Sequence, residues 1–341
     1  MLQSLQALRF IFACLIFCFH FPIGTYEPLF AEGGGIGVSF FLVLSGFVMS
    51  LGYANKVKQT TFRWSDFMLK RLIKLWPLHL LCLLIWIGAA YMAWGSKDIH
   101  LLPLLGNAFL LQSWFPIKEM EGNSVAWCLS TLIFFYAVYP VLAKLEMKRL
   151  IALFVLHFLL ISLLSYTLIP SHLQEWYWYK FPPTRILDFI LGMILYHLYI
   201  KLDKAKLPSL VYRDVPPIIF FAIGLFIIHG KTNLMELSGR VFYLASAVTI
   251  LSYALFERKY GIPSWLKFKF LLYLGEISFS FYMIHNLAIL ITKQALSKVY
   301  PDHHWTLRFV ITFVATIIGS VIVNKYFEQP ISKLLSRNNR R

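Results

Sequence analysis

Charge is what this chain lacks. Only 14% of its 341 residues are Asp, Glu, Lys or Arg, against about 25% in a soluble domain. That shortfall excludes a water-facing surface over most of the sequence. Acid is scarcest, with 16 Asp and Glu against 32 Lys and Arg. No long, polar, low-complexity stretch divides the chain, so a linker and a soluble second domain are not expected. The whole chain, 1–341, reads as one integral-membrane domain with a short basic tail over 331–341. The four cysteines, Cys14, Cys18, Cys82 and Cys128, lie in or beside apolar stretches and show no metal-ligand spacing with His. They exclude a disulfide scaffold and read as small hydrophobes. No metal site is expected. No Gly-rich phosphate loop is present, and Gly33-Gly34-Gly35 reads as a turn. No internal repeat supports an inverted-repeat transporter.

What the sequence has is hydrophobic length, with 59% of residues apolar. A membrane-spanning helix needs about 20 mostly apolar residues. Candidate spans are Leu5–Ile23, Ile36–Tyr53, Leu75–Ala93, Trp127–Leu145, Leu150–Ile169, Thr184–Ile200, Val215–Gly230, Gly239–Phe256, Leu271–Thr292 and Leu307–Tyr326. Leu101–Leu111 is too short to cross. The expected fold is an all-α, polytopic bundle of about ten transmembrane helices. No Lys or Arg precedes Arg9 and no small-residue cleavage site follows, so the first segment reads as a retained helix.

The net charge of +16 does not point to nucleic acid, because the bases cluster between apolar segments. One loop and the helix start after it hold Lys56, Lys58, Arg63, Lys70, Arg71 and Lys74 against Asp66 alone, whereas the loop before it holds Glu27 and Glu32 and no base. Later bases alternate in the same sense, although Lys293, Lys298 and Arg308 blur the last outer loop. The positive-inside rule then puts both termini in the cytoplasm. Attraction to anionic membrane lipids is a secondary role for the same bases.

An ionisable group inside a membrane segment is a functional candidate. Arg9 and His20 are eleven residues apart, about three turns, so they share one face of the first helix about 16 Å apart. Arg71 and Lys74 share a face at the cytoplasmic start of the third span and suit a phosphate-bearing ligand. Arg185 and Asp188 stand at i and i+3, where they can pair. Tyr282 and His285 follow Ser278 and Ser280 in the ninth span. For each group the plain alternative is structural: snorkelling, charge flanking, an ion pair or an interhelical hydrogen bond. The topology puts His20, Arg185, Asp188 and His285 in the outer half, with Arg9, Arg71 and Lys74 in the inner half. That layout suits a protein receiving an anionic ligand on one side and moving a proton toward the other.

The ordered set of motifs resembles the acyltransferase-3 family of integral-membrane acyltransferases, from about Gln6 to Pro330. The pieces are Leu8-Arg9 followed by His20, Gly37 to Phe47, Lys70 to Pro77, Trp127-Cys128-Leu129-Ser130 through Tyr136, Arg185 to Asp188 with Gly192, Ser278 to His285, and Phe327-Glu328-Gln329-Pro330. The chain departs from the family's pattern at Lys74, where a second Arg is usual, at Cys128, in the Ser place, and at Leu132, where a Glu is frequent.

The resemblance implies transfer of an acyl group, most often acetyl, from cytoplasmic acyl-CoA to a hydroxyl of a glycan or lipid-linked saccharide. It casts His20 as general base, with Asp188 or His285 orienting or assisting it. Arg71, Lys74 and Arg9 would hold acetyl-CoA. Trp127, Ser130, Arg185 and Tyr282 would shape the acceptor pocket. Direct transfer and a route through acyl-His20 both fit. A carrier or flippase for a lipid-linked glycan is the rival from another class, and a membrane polymerase is a second. The implied location is the cytoplasmic (inner) membrane.

Overall fold

The computed structural model describes residues 2–23, 27–94, 100–116, 122–202, 213–219, 221–222, 235–296 and 305–338. The described residues are all-α apart from a two-residue antiparallel ladder between Pro22–Ile23 and Glu27–Pro28. The helices are α1 (Gln3–His20), α2 (Gly33–Tyr53), α3 (Trp64–Trp94), α4 (Leu101–Ala108), α5 (Trp127–Leu142), α6 (Met147–Thr167), α7 (Gln174–Tyr179), α8 (Pro182–Leu202), α9 (Met235–Tyr260), α10 (Lys269–Glu276), α11 (Ser278–Leu296), α12 (Trp305–Val323) and α13 (Gln329–Asn338).

Among the described residues, six helices are long and apolar enough to cross a membrane, and a seventh span results if α10 and α11 count as one bent segment. These correspond to the first five, the ninth and the tenth of the expected spans. Helices α8 and α9 coincide with the sixth and eighth and are also long enough, but more polar. Residues 213–219 and 221–222 are helical, and the rest of the expected span Val215–Gly230 lies outside the described residues, apart from these. The ninth span is interrupted at Ile277. The short Leu101–Leu111 stretch forms α4, held against α3 by Trp76 Nε1 donating to the Ala108 carbonyl at 2.8 Å.

The glycine triplet is a correction. Gly33, Gly34 and Gly35 are not a turn but the first turn of α2. Packing supplies the reason: a Cβ on Gly33 would overlap the Leu15 carbonyl, and one on Gly34 would strike the Phe19 ring at 2.7 Å. Missing side chains, not a reversed backbone, are what these positions need.

The helices gather into two compact units that the chain visits alternately. One comprises Met1–Phe12, Gly35–Phe62 and Phe134–Glu276; the other comprises Ala13–Gly34, Arg63–Ile133 and Ile277–Arg341. In the first unit the start of α1 is fixed by Glu257 of α9. Its two carboxylate oxygens accept from the backbone N–H groups of Gln3 and Ser4 at 2.8 and 2.7 Å. These donors lack intrahelical partners, and the anion complements the positive end of the helix. Helix α7 supplies aromatic weight: Tyr177 turns inward and donates to the Ile161 carbonyl at 3.0 Å.

Helices α2 and α8 meet backbone to backbone. A Cβ on Gly46 would overlap the Phe189 carbonyl, and one on Gly192 would overlap the Val43 carbonyl. In the same unit the tilted rings of Phe135 and Phe189 lie 5.1 Å apart, and Tyr139 donates to the Met49 carbonyl at 3.2 Å. Close approach is how helices gain packing energy where lipid removes the hydrophobic drive. Gly46→Leu is therefore expected to lower stability by about 1–3 kcal/mol or more through overpacking. Gly52, where a Cβ would meet nothing within 4 Å, is the control: Gly52→Leu should leave the melting temperature of the detergent-purified protein unchanged while Gly46→Leu lowers it.

Candidate functional site

The second unit brings His20 and His285 together. Helix α1 ends at His20, and the preceding turn is seated by Phe17, whose ring lies 5.3–6.0 Å from those of Phe281, Phe309 and Phe313. This aromatic seat of α11 and α12 holds the helix end against α11. His20 Nδ1 then lies 3.0 Å from the Ile16 carbonyl and 3.2 Å from Nε2 of His285. Nδ1 of the fully buried His285 lies 2.6 Å from the Tyr282 carbonyl.

These contacts decide the tautomers. A carbonyl only accepts, so His285 Nδ1 carries its hydrogen and donates to Tyr282. In the neutral ring its Nε2 is then an acceptor. His20 Nδ1 also carries its hydrogen, shared between the Ile16 carbonyl and His285 Nε2. The basic nitrogen of neutral His20 is consequently Nε2. A proton arriving there would leave Nδ1–H still bonded to its two acceptors.

A segment before α5 is stitched to the same helix. Asn123 Nδ2 donates to the Met283 carbonyl at 2.6 Å, Tyr282 Oη donates to the Val125 carbonyl at 2.7 Å, and Asn286 Nδ2 donates to Ser124 Oγ at 2.9 Å. Gly122 has φ +126°, and a Cβ there would also come within 2.6 Å of the Asn107 side chain. Only glycine suits that position. The segment borders a cavity of about 310 Å³ lined by His20, Trp86, Gly122, Ser124, Asn286 and Lys293, among others.

The remaining expected site residues fall in other places. Tyr282 holds the segment as just described. Trp127 and Ser130 are buried on α5 but do not line this cavity; Ser130 Oγ shares a 2.5 Å hydrogen bond with Ser113 Oγ. Arg71 and Lys74 lie in the second and third turns of α3, with Arg71 stacked 5.5 Å over the Phe67 ring. From Arg71 to Trp86 the same helix rises about 22 Å, so α3 links the basic pair to the cavity wall. Arg9 lies half-buried on α1 in the first unit.

Arg185 and Asp188 also belong to the first unit. Arg185 Nε lies 3.1 Å from Asp188 Oδ2, with both side chains buried. The guanidinium also donates to Tyr243 Oη at 3.2 Å and lies over the Tyr243 and Tyr179 rings at 5.1 and 5.7 Å. This is a buried ion pair with an aromatic collar. The sequence reading missed Trp86, Gly122, Asn123, Ser124, Asn286 and Lys293. The Gly122-Asn123-Ser124 run, three to five residues before Trp127, and Asn286 beside His285 were the available signals.

Residues 2–325 match the family described as an acyltransferase domain. Acyltransferase MdmB of Streptomyces mycarofaciens is 27% identical over an alignment of 380 residues, covering 98% of this chain and 93% of that protein. No solved structure matches the chain.

The ion pair makes a prediction of its own. Asp188→Leu leaves a buried guanidinium without its counter-charge and is expected to cost about 3–5 kcal/mol. The joint change Arg185→Leu with Asp188→Leu should cost less than the single one. Thermal melts of the purified proteins, with the amount reaching the membrane, check the order.

Proposed function

The chain belongs to the acyltransferase-3 family of multi-pass membrane acyltransferases, and we propose that it carries an acyl group, acetyl in the first instance, from acyl-CoA in the cytoplasm to a hydroxyl of a glycan or glycolipid at the outer side of the cytoplasmic membrane. The observation that carries this reading is the His20–His285 pair beside a cavity. Histidine is the side-chain type suited to proton transfer at physiological pH, and the hydrogen bonds of the pair support Nε2 of His20 as the nitrogen that does it.

In this reading the acceptor hydroxyl enters the cavity and gives its proton to His20 Nε2. The oxygen attacks the thioester carbonyl of the donor, forming the tetrahedral intermediate. The carbon–sulfur bond then breaks, the ester forms, and the thiolate takes the proton back from His20. His285 stays neutral and receives the His20 Nδ1–H hydrogen bond throughout. The orienting role therefore goes to His285, which touches His20, while Asp188 serves by holding Arg185. Arg71 and Lys74 bind the donor's phosphates. Lys74 offers charge without the bidentate fork of an arginine. The rise along α3 from Arg71 to Trp86 is a depth that an extended pantetheine arm suits. Both termini lie in the cytoplasm, as the basic loops favour.

His20→Ala is expected to lower acyl transfer by about 10²–10⁴-fold, the usual contribution of a general base. The check is complementation of a deletion strain of the source organism, with purified surface glycan examined by proton NMR for O-acetyl signals. Wild type should restore the signals and His20→Ala, present at equal level in the membrane, should not. A carrier of lipid-linked glycan would leave O-acetylation unchanged on deletion.

A further inference from the structure

The cavity at His20 holds a charge that the reaction does not use. Lys293 is on its wall, in the last turn of α11. Asn286 and Lys293 are seven residues apart, two turns of one helix, so they share a face about 10 Å apart along the axis. Ile289 and Leu290, on the same face, make the wall between them apolar. His20 adjoins the Asn286 end through its contact with His285. The cavity therefore has a reacting end with histidine, an apolar middle and a cationic far end. Trp86, from α3, adds the flat amphipathic face that a sugar ring can lie against.

Membrane flanking does not account for this lysine. On the orientation proposed above, Lys293 is at the outer end of its span, where loops are normally poor in bases. Among the described residues the ion pairs Arg185–Asp188 and Arg213–Asp214 do not involve it. It is exposed on the helix yet lines the cavity, as a long side chain does when its stem lies on an apolar wall and its ammonium reaches water.

We infer that the acceptor is an anionic saccharide, whose carboxylate or phosphate is bound by Lys293 at the end of the cavity away from His20. With two helix turns between Asn286 and Lys293, the anion belongs on a neighbouring unit of the saccharide or on its phosphate linkage, not beside the reacting carbon. The inference rests on the acyl-transfer reading. Lys293 acts on acceptor binding and touches no reacting atom.

The test uses membranes of a source-organism deletion strain carrying full-length wild type, Lys293→Gln or Lys293→Arg, supplied with radiolabelled acetyl-CoA. Labelled acceptor is extracted and passed over an anion exchanger. The expected result is retention of the wild-type product. Incorporation should fall about tenfold in Lys293→Gln, the scale of one charge-assisted contact. It should be largely kept in Lys293→Arg, with the loss in Lys293→Gln recovered at high acceptor concentration. Mild acid then distinguishes the two sources: a phosphate linkage to lipid is cleaved and the labelled saccharide becomes neutral, whereas a sugar carboxylate stays. Either outcome supports the inference. A labelled product that flows through the exchanger, or Lys293→Gln incorporating label like wild type, overturns it while leaving acyl transfer standing. Wild-type membranes that label nothing above the deletion strain remove acyl transfer from acetyl-CoA, and the inference with it.

Discussion

Inside a bilayer a polar side chain has only the protein to bond to. The organisation around His20 follows from that constraint. His20 and His285 satisfy one another, and each also uses a main-chain carbonyl, Ile16 for the first and Tyr282 for the second. Because both carbonyls are fixed by helices, ring orientation and proton position are fixed as well. A solvated histidine pair would sample both tautomers; this one is held to a single choice by backbone that cannot easily move. The supporting residues follow the same logic. Tyr282, Asn123 and Asn286 spend their donors on Val125, Met283 and Ser124, which fastens an otherwise irregular segment to α11. Irregular backbone at membrane depth is tolerated where it lines a cavity, and this segment borders the one at His20.

The first unit meets the same constraint with geometry. At Gly46 and Gly192 the helices touch through backbone, so dispersion contacts form without large side chains between them. The buried Arg185 is tolerated because Asp188, Tyr243 and Tyr179 surround it. Glu257 closes the N-terminus of α1, the helix that also carries Arg9 and His20. A carboxylate near the end of α9 thus sets where the helix carrying His20 begins.

The spans were legible because lipid imposes a strong hydropathy signal, and α1, α2, α5 and α6 lie close to where apolar length put them, while α3 starts at Trp64, eleven residues before the expected Leu75, through the basic stretch that hydropathy leaves out. His20, His285, Arg185 and Asp188 were visible one at a time, since charge or imidazole in an apolar run is conspicuous. The Arg185–Asp188 pairing was legible from its i, i+3 spacing. The His20–His285 contact was not, because 265 residues separate the partners and no local rule predicts it. Trp86, Asn123 and Lys293 are ordinary residue types made significant by position alone. The triplet Gly33–Gly35 misled because glycine signals both turns and close packing, and only the neighbours Leu15 and Phe19 decide between them. The break at Ile277 falls between Gly275-Glu276 and Ser278, a short polar interruption of the apolar run with no proline to mark it.

The last helix passes through a π-helical turn at Asn324–Glu328. There Glu328 Oε2 accepts from Ser280 Oγ at 2.6 Å and from Asn324 Nδ2 at 3.0 Å, and Gln329 Nε2 donates to Asn324 Oδ1 at 2.9 Å. A π turn is a single residue added to an α-helix and accommodated as a bulge. Its phase effect is what matters: one residue more or less rotates everything beyond it by about 100°. Loss of one residue here would keep every span and most of the sequence, yet swing Glu328 away from the first turn of α11. In this part of the chain, relatives differing by a one-residue gap would differ in wiring more than relatives differing by many substitutions.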